Sequence, residues 1–315
     1  MDTRTRRPDL ERLPYKAPNY LTPQIFPFLP RAMKQGVLYY ADIQTETAAE
    51  TGRSGGTAPT AVNLSDAHTT YDLDTDEFIK RMGIPDAEIP GFGGLDAAQQ
   101  VAARKGKRSV GLAIEDLTVA NVLANASVTY VDILNSLIGA VDLGRDTLMD
   151  RADGQIAFVC SSRIFNRIKR YDTIIDRMKF TGVMASGIRD VRSISAAQLA
   201  AALNVDAILV GPNSEWYDDD ADYQDRAALM VLPDPSAEPI EELQAGRTVW
   251  FSADGIAVSA DTMFEIHSYY SDNLLSEQVD VRAYAEQHML NTELIYGLDG
   301  IDEDNTVTTT TTTTT

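Results

Sequence analysis

The chain has 315 residues, 44% of them apolar, and its 47 carboxylates against 27 Lys and Arg give a formal net charge of −20. That is enough apolar material for the core of one large domain or two of ordinary size. The charge excludes a general nucleic-acid-binding surface, because holding phosphates means displacing counterions with cations; the single Cys160 excludes an internal disulfide and Cys-rich zinc sites.

Residues 1–16, MDTRTRRPDLERLPYK, are charged with no apolar segment behind them, and no apolar run approaches the ~20 residues that span a bilayer. A soluble protein without a secretion signal or membrane partner is expected. Residues 1–35 hold Pro8, Pro14, Pro18, Pro23, Pro27 and Pro30 and read as an extended arm, since each proline turns its predecessor away from helix. Leu21, Ile25, Phe26, Phe28 and Leu29 interrupt it, which suits an arm laid along a surface.

Residues 37–43 and 67–73 have strand character and flank TAAETGRSGGTAPTA as the two sides of a long hairpin whose tip is GRSGG. A phosphate loop is the other reading of GRSGG, but Arg53 is its only cation and no helix follows it. Residues 82–94, with two prolines and four glycines, read as a connector, and PGFGG as a plain helix entry. A long helix is predicted over 95–125, with Val110, Ile114, Leu117 and Ala120 on its clearest apolar face and Gly106 and Gly111 weakening its middle.

Helices and strands then alternate. Ile133, Leu134, Leu137, Ile138 and Val141 form one helical face; residues 156–160 form a buried strand; Ile164, Phe165, Ile168, Tyr171, Ile175 and Met178 form a second helix. An Ala-rich helix over 195–203, capped by Ser193 or Ser195, precedes a strand at 207–210. After the acidic stretch EWYDDDADYQD the pattern is β, with strands at 228–232, 248–252, 263–270, 279–284 and 294–296, and the end, IDEDN and a threonine run, has nothing to pack.

No enzyme signature is visible. His68, His267 and His288 fall in segments of different character, no G-x-S-x-G turn surrounds a serine, and Ser161 and Ser162 read as helix caps. Cys160, within IAFVCSS, reads as a small core residue. Asp218, Asp220 and Asp222 open like a calcium loop, but Tyr223 stands where the turn needs Gly and Leu229 where a bidentate Glu is needed. A solvated acidic loop is the expectation there, with these three carboxylates as the one metal candidate, and no cofactor is expected.

The arm YLTPQIFPFLPRAMKQGVLYYAD, the Gly/Thr/Ala-tipped hairpin, the helix LDAAQQVAARKGKRSVGLAIEDLTVANVL, the central α/β block and the segment VDVRAYAEQHMLNTELIYGLDGI together resemble a tailed-virus major capsid protein of the Hong Kong 97-like fold. The resemblance implies an α+β chain: an N-terminal arm at 1–35, an extended loop at 36–80, a peripheral domain at 81–130 and 236–303 built on a spine helix, an axial domain at 131–235, and a flexible tail at 304–315. It implies a non-enzymatic subunit forming hexamers and pentamers of an icosahedral head around double-stranded DNA, assembled in the host cytoplasm, with a portal as partner and either a separate scaffold or a longer precursor that is trimmed. Gly52, Arg53, Gly55, Gly56, Thr57, Pro59, Phe26 and Phe28 become the expected intersubunit contacts. Some members cross-link through a Lys in the extended loop; here none occurs between Lys34 and Lys80, so a non-covalent shell, with a cementing protein, is implied. The basic residues Arg4, Arg6, Arg7, Arg12 and Lys16 would either touch DNA or scaffold weakly or form a solvated tail. An encapsulin-like compartment, and an α/β enzyme using residues 131–235, are the alternative readings.

Overall fold

The computed structural model describes residues 4–14, 20–31, 35–40, 69–74, 76–125, 127–130, 136–180, 194–211, 226–234, 242–251 and 264–301. The chain divides into two units, residues 1–120 with 233–291 and residues 121–232 with 292–315.

In the first unit the N-terminal segment is built into the fold. Strand β1 (Thr5–Arg6) pairs antiparallel with β11 (Glu265–Ser271), and helix α1 (Pro8–Glu11) follows with Pro8 at its first turn, where its missing N–H costs nothing. Helix α2 (Thr22–Ile25) leads into β2 (Phe28–Arg31), which runs parallel to β10 (Gly246–Phe251). Leu21, Ile25 and Phe26 are fully buried. The surface on which these residues are laid is this chain's own: the apolar side chains that interrupt the prolines fill its core.

Strands β3 (Gln35–Tyr40) and β4 (Thr69–Asp74) form an antiparallel ribbon in register Gln35↔Asp74 to Tyr40↔Thr69. One residue later β5 (Asp76–Pro85) begins and pairs along its length with β12 (Ser276–Met289). The expected connector at 82–94 is therefore strand to Pro85, and only 86–94 turn, through a 3-10 helix at Ile89–Phe92. Gly93 and Gly94 have φ of 85° and 122°, a conformation that favours glycine.

Helix α3 (Leu95–Asn125) has 31 residues, as the sequence predicts. Ala98, Ala102, Val110 and Ile114 are buried on it and share a core with Trp250, Phe264, Ile266, Val279 and Val281. Their spacing of four, completed by Gly106, is the row that faces the sheet. Leu117, expected on this face, is 36% exposed, because the row that starts at Ala98 passes through Thr118 and not 117. The glycines are packing features: a Cβ at Gly106 would stand 2.5 Å from Val281 Cγ2, and one at Gly111 2.6 Å from Tyr20 Oη. The sheet beneath runs β1-β11-β12-β10-β2, with β5 also on β12.

The second unit carries the mixed sheet β6-β13-β9-β7-β8, from β6 (Ser127–Tyr130), β7 (Gln155–Ser161), β8 (Ala207–Gly211), β9 (Ala227–Leu232) and β13 (Ile295–Asp299). Helix α4 (Leu137–Met149) packs on β9 and β13, and Gly144 lets it close on Tyr296 and Leu229, to which an added Cβ would come within 2.5 and 2.7 Å. The second predicted helix is two, α5 (Ser162–Ile168) and α6 (Asp172–Phe180). Ser161 caps α5, its Oγ accepting from Ile164 N at 3.2 Å, and Ser195 forms a capping box with Gln198 at the start of α7 (Ala196–Leu203). β13 departs from the expected boundaries: it belongs to this α/β sheet, parallel to β6 and antiparallel to β9, and not with the strands on the spine helix. Arg226 pairs with Asp299 at 3.1 Å and Tyr171 Oη donates to the Ile301 carbonyl, tying the strand in place.

Candidate self-assembly surfaces

A surface that meets other subunits must combine a rigid base with exposed groups that their own chain leaves uncovered. The rigid base is polar as well as apolar. Glu115, fully buried on α3, accepts from the N–H of Leu21 at 2.7 Å, the N–H of Thr22 at 2.9 Å and Thr22 Oγ1 at 2.7 Å. One helix turn on, Thr118 Oγ1 lies 2.7 Å from Thr22 Oγ1. Eight residues before Glu115, buried Lys107 donates to the carbonyls of Glu11 and Leu13 at 2.7 and 2.9 Å. Two opposite charges on one helix thus fasten both ends of residues 11–22, and charge-assisted bonds of this kind are the strong ones.

The β5–β12 pair is fastened likewise. Arg81 reaches Asp280 in a two-bond fork of 2.7 and 3.1 Å, and Arg282 adds a contact at 3.4 Å. Burial by itself would raise the Asp280 pKa, but the two guanidiniums prevail and it is lowered. On the same strand His288 is buried, its Nε2 lies 3.4 Å from Glu286, and burial lowers its pKa to about 4, so it is neutral in the fold.

Exposed apolar side chains mark what these bases present. Leu274 and Leu275 are 66% and 67% exposed at the tip of the β11–β12 hairpin. Leu275 has φ of 44°, a left-handed conformation that costs about 1–2 kcal/mol for a residue with a Cβ. Tyr270 Oη donates to Asp86 at 2.6 Å, which raises the phenol pKa, and the Asp86 N–H donates to the Leu275 carbonyl at 3.3 Å, bracing the tip against the end of β5. On α4 in the other unit, Leu143 and Met149 are 55% and 52% exposed. Sequence reasoning missed all four, since a Leu pair reads as strand and α4 reads as ordinarily amphipathic.

Of the expected contact residues, Phe28 packs edge-to-face on Trp250 at 5.7 Å between ring centres and is half-buried. Phe26 is 0% exposed, against Gly246; the expectation that it contacts a neighbour is corrected, because the subunit's own core covers it. Gly52, Arg53, Gly55, Gly56, Thr57 and Pro59 lie outside the described residues, as do Asp218, Asp220, Asp222 and His68. Among the described residues no group of three or more His, Cys, Asp or Glu is placed to hold a metal, and no helix is long and apolar enough to cross a membrane. Cys160 is buried and burial pushes its thiol pKa far up, so it is a core residue. Ser161 serves its helix, and His267 sits on β11 with Glu265 at 3.9 Å.

Neither a known family model nor a curated protein sequence matches the chain. Solved structures do. A phage-related protein from Bordetella bronchiseptica RB50 is similar at TM-score 0.64 and 15% identity, over 94% of this chain and 97% of that one. The capsid of cyanophage P-SCSP1u is similar at TM-score 0.56 and 11% identity, covering 91% and 90%. The SrpI encapsulin from Synechococcus elongatus PCC 7942 is similar at TM-score 0.54 and 7% identity, covering 92% of each. The chain has the Hong Kong 97-like capsid fold, in its mixed α+β form.

Proposed function

We propose that this chain is a major capsid protein, which self-assembles into hexamers and pentamers and forms the icosahedral head that encloses a double-stranded DNA genome. The observation that carries the reading is coverage: the likeness to the cyanophage P-SCSP1u capsid takes in 91% of this chain and 90% of that one, so little of the chain is left over for another task. The physics of the elements supports it. A two-stranded ribbon such as β3–β4 is marginal by itself in water, and the braced Leu274–Leu275 tip offers apolar area that its own chain does not cover. Residues 52–59 of the extended loop are proposed to lie on a neighbouring copy. Without a Lys between Lys34 and Lys80 the contact is non-covalent, with a cementing protein, a scaffold and a portal as further partners. The role is structural and non-catalytic, and the location is the virion, after assembly in the host cytoplasm.

Negative-stain microscopy of the protein, expressed alone and with a scaffold, tests this. Shells, tubes or rings are expected; a monomer at high concentration and high salt refutes it. The likeness to an encapsulin at TM-score 0.54 favours a second reading, a protein compartment, and the content of the particles separates the two: DNA for a virus, a cargo enzyme for a compartment.

A further inference from the structure

In a chain of net charge −20, several described cations meet carboxylates. Arg6 pairs with Glu11, Arg7 with Asp9, Arg81 and Arg282 with Asp280, Arg151 with Glu293, Arg177 with Asp142 and Arg226 with Asp299. Arg4 lies over the Tyr269 ring at 5.3 Å. Most of the N-terminal basic cluster is thereby occupied within the fold.

One group differs. Arg104, Lys105 and Arg108 on α3 are exposed, and among the described residues none is in an ion pair. At 100° per residue they fall within one 100° sector, and Arg104 and Arg108 are separated by ~6 Å of helix rise. No carboxylate occurs on α3 between Asp96 and Glu115, and Glu115 is turned inward. Exposed Arg12 joins the group, because buried Lys107 holds the carbonyls on both sides of it, those of Glu11 and Leu13. Tyr20 Oη donates to the Arg108 carbonyl at 3.4 Å and holds the next part of the segment beside the same turns. The result is a cationic face of four side chains, three on α3 and one beside it, in an acidic subunit.

We propose that this face, Arg12, Arg104, Lys105 and Arg108, binds the phosphate backbone of the enclosed DNA, an inference that rests on the capsid reading. Three of the four are Arg, which matches phosphate oxygens with two parallel N–H donors. An exposed helix face suits a sequence-independent contact with the phosphate backbone. The small number of cations keeps the contact weak. Neutralising four phosphates gives a slope of log K against log salt of about −3 to −4, so affinity falls roughly a hundredfold from 50 to 200 mM salt. The DNA is held loosely enough to move past an otherwise repelling wall.

The test measures binding of a fluorescent 30-base-pair duplex to unassembled subunits by anisotropy between 20 and 200 mM salt. The triple variant R104Q/K105Q/R108Q should lose most of the affinity, with the salt slope smaller by about 3. A second triple variant, R145Q/R163Q/R170Q, removes the same charge from the other unit and should bind as the unsubstituted protein does. Equal losses in both variants would make net charge the cause and overturn the proposal. So would an unchanged slope in the first; if that variant also lost scaffold binding, the face would belong to an acidic protein instead. Microscopy of the same variants keeps the two readings apart: shells with an unchanged DNA slope refute only this inference, whereas the absence of any assembly in the unsubstituted protein refutes the capsid reading.

Discussion

Gly106 tests whether the spine helix is pressed onto the sheet as closely as the geometry implies. In Gly106→Ala the new Cβ would stand 2.5 Å from Val281 Cγ2 and 3.1 Å from its Cβ, where apolar carbons rest at about 3.5–4.0 Å. Val281 is β-branched and lies on a strand with neighbours on both sides, so rotation gives little relief and the helix must move. Overpacking of this kind costs about 1–3 kcal/mol, and Ala in place of Gly returns up to about 1 kcal/mol of helix propensity. The net loss is about 1 kcal/mol. Val281→Ala alone removes two buried carbons and costs about 2 kcal/mol. In the double variant the new methyl fills the space left by the valine, so the combined loss should be smaller than the sum by about 1–2 kcal/mol. Urea unfolding of unassembled subunits, read from Trp250 in a Trp216→Phe background, measures all four corners of the cycle, since Trp250 belongs to the same core cluster as Val281. Additivity within about 0.5 kcal/mol would refute the claim of direct contact.

Glu115→Ala strands two buried N–H groups and the Thr22 hydroxyl, with an expected loss of about 2–4 kcal/mol. Amide exchange at Leu21 and Thr22 should then accelerate far more than exchange at β11, and uniform acceleration would mean that the carboxylate does not act locally. His288 carries a pH dependence: its folded pKa of about 4 lies below the ordinary 6.5, so the unfolded chain binds the extra proton. Stability is full above pH 6.5, falls as pH drops from 6.5 to about 4, and in total loses on the order of 3 kcal/mol. Urea midpoints across that window should flatten in His288→Gln, and an unchanged slope would assign the effect to other groups. Asp280 acts lower, its lowered pKa placing its loss below the ordinary carboxylate range. Leu274→Asp with Leu275→Asp should leave the subunit's melting temperature within a degree or two while abolishing particles by electron microscopy; intact particles would show that the tip is not a contact.

The 31-residue helix was legible to its ends because nothing in it breaks a helix except two glycines, and a chain reads its own local breakers. Which side of it is buried was less legible: Leu117 has helical spacing from Val110 and Ile114, yet the row set by Ala98 and Ala102 is the one the sheet selects. The break between α5 and α6 also hid from periodicity, since the apolar spacing runs through it and only Arg170 and Tyr171, donating to Arg167 and Ile168, close the first helix early. β13 is buried along its whole length, and a strand buried on both faces carries no local sign of which sheet will take it. The candidate surfaces were the least legible part. Exposure of Leu274 and occupancy of Phe26 are set by residues far away in sequence, and the tip residues expected at the neighbour lie outside the described residues.

The two kinds of contact inferred for this subunit respond oppositely to salt, and that opposition follows from the charge. Bringing together copies that each carry −20 costs energy, about 0.4 kcal/mol for every pair of unit charges 10 Å apart in water, and the cost fades as the Debye length falls below that distance near 0.1 M. The attraction that overcomes it comes from apolar area: two leucines buried from a tip such as Leu274–Leu275 contribute about 3–5 kcal/mol, a quantity salt does not weaken. Shell formation therefore strengthens with salt, while the phosphate contact of the α3 face weakens with it. Dilute buffer loosens the wall and tightens its hold on DNA; concentrated salt does the reverse. Particles whose stability and DNA retention both rose with salt would contradict the division of labour between the apolar tip and the basic face.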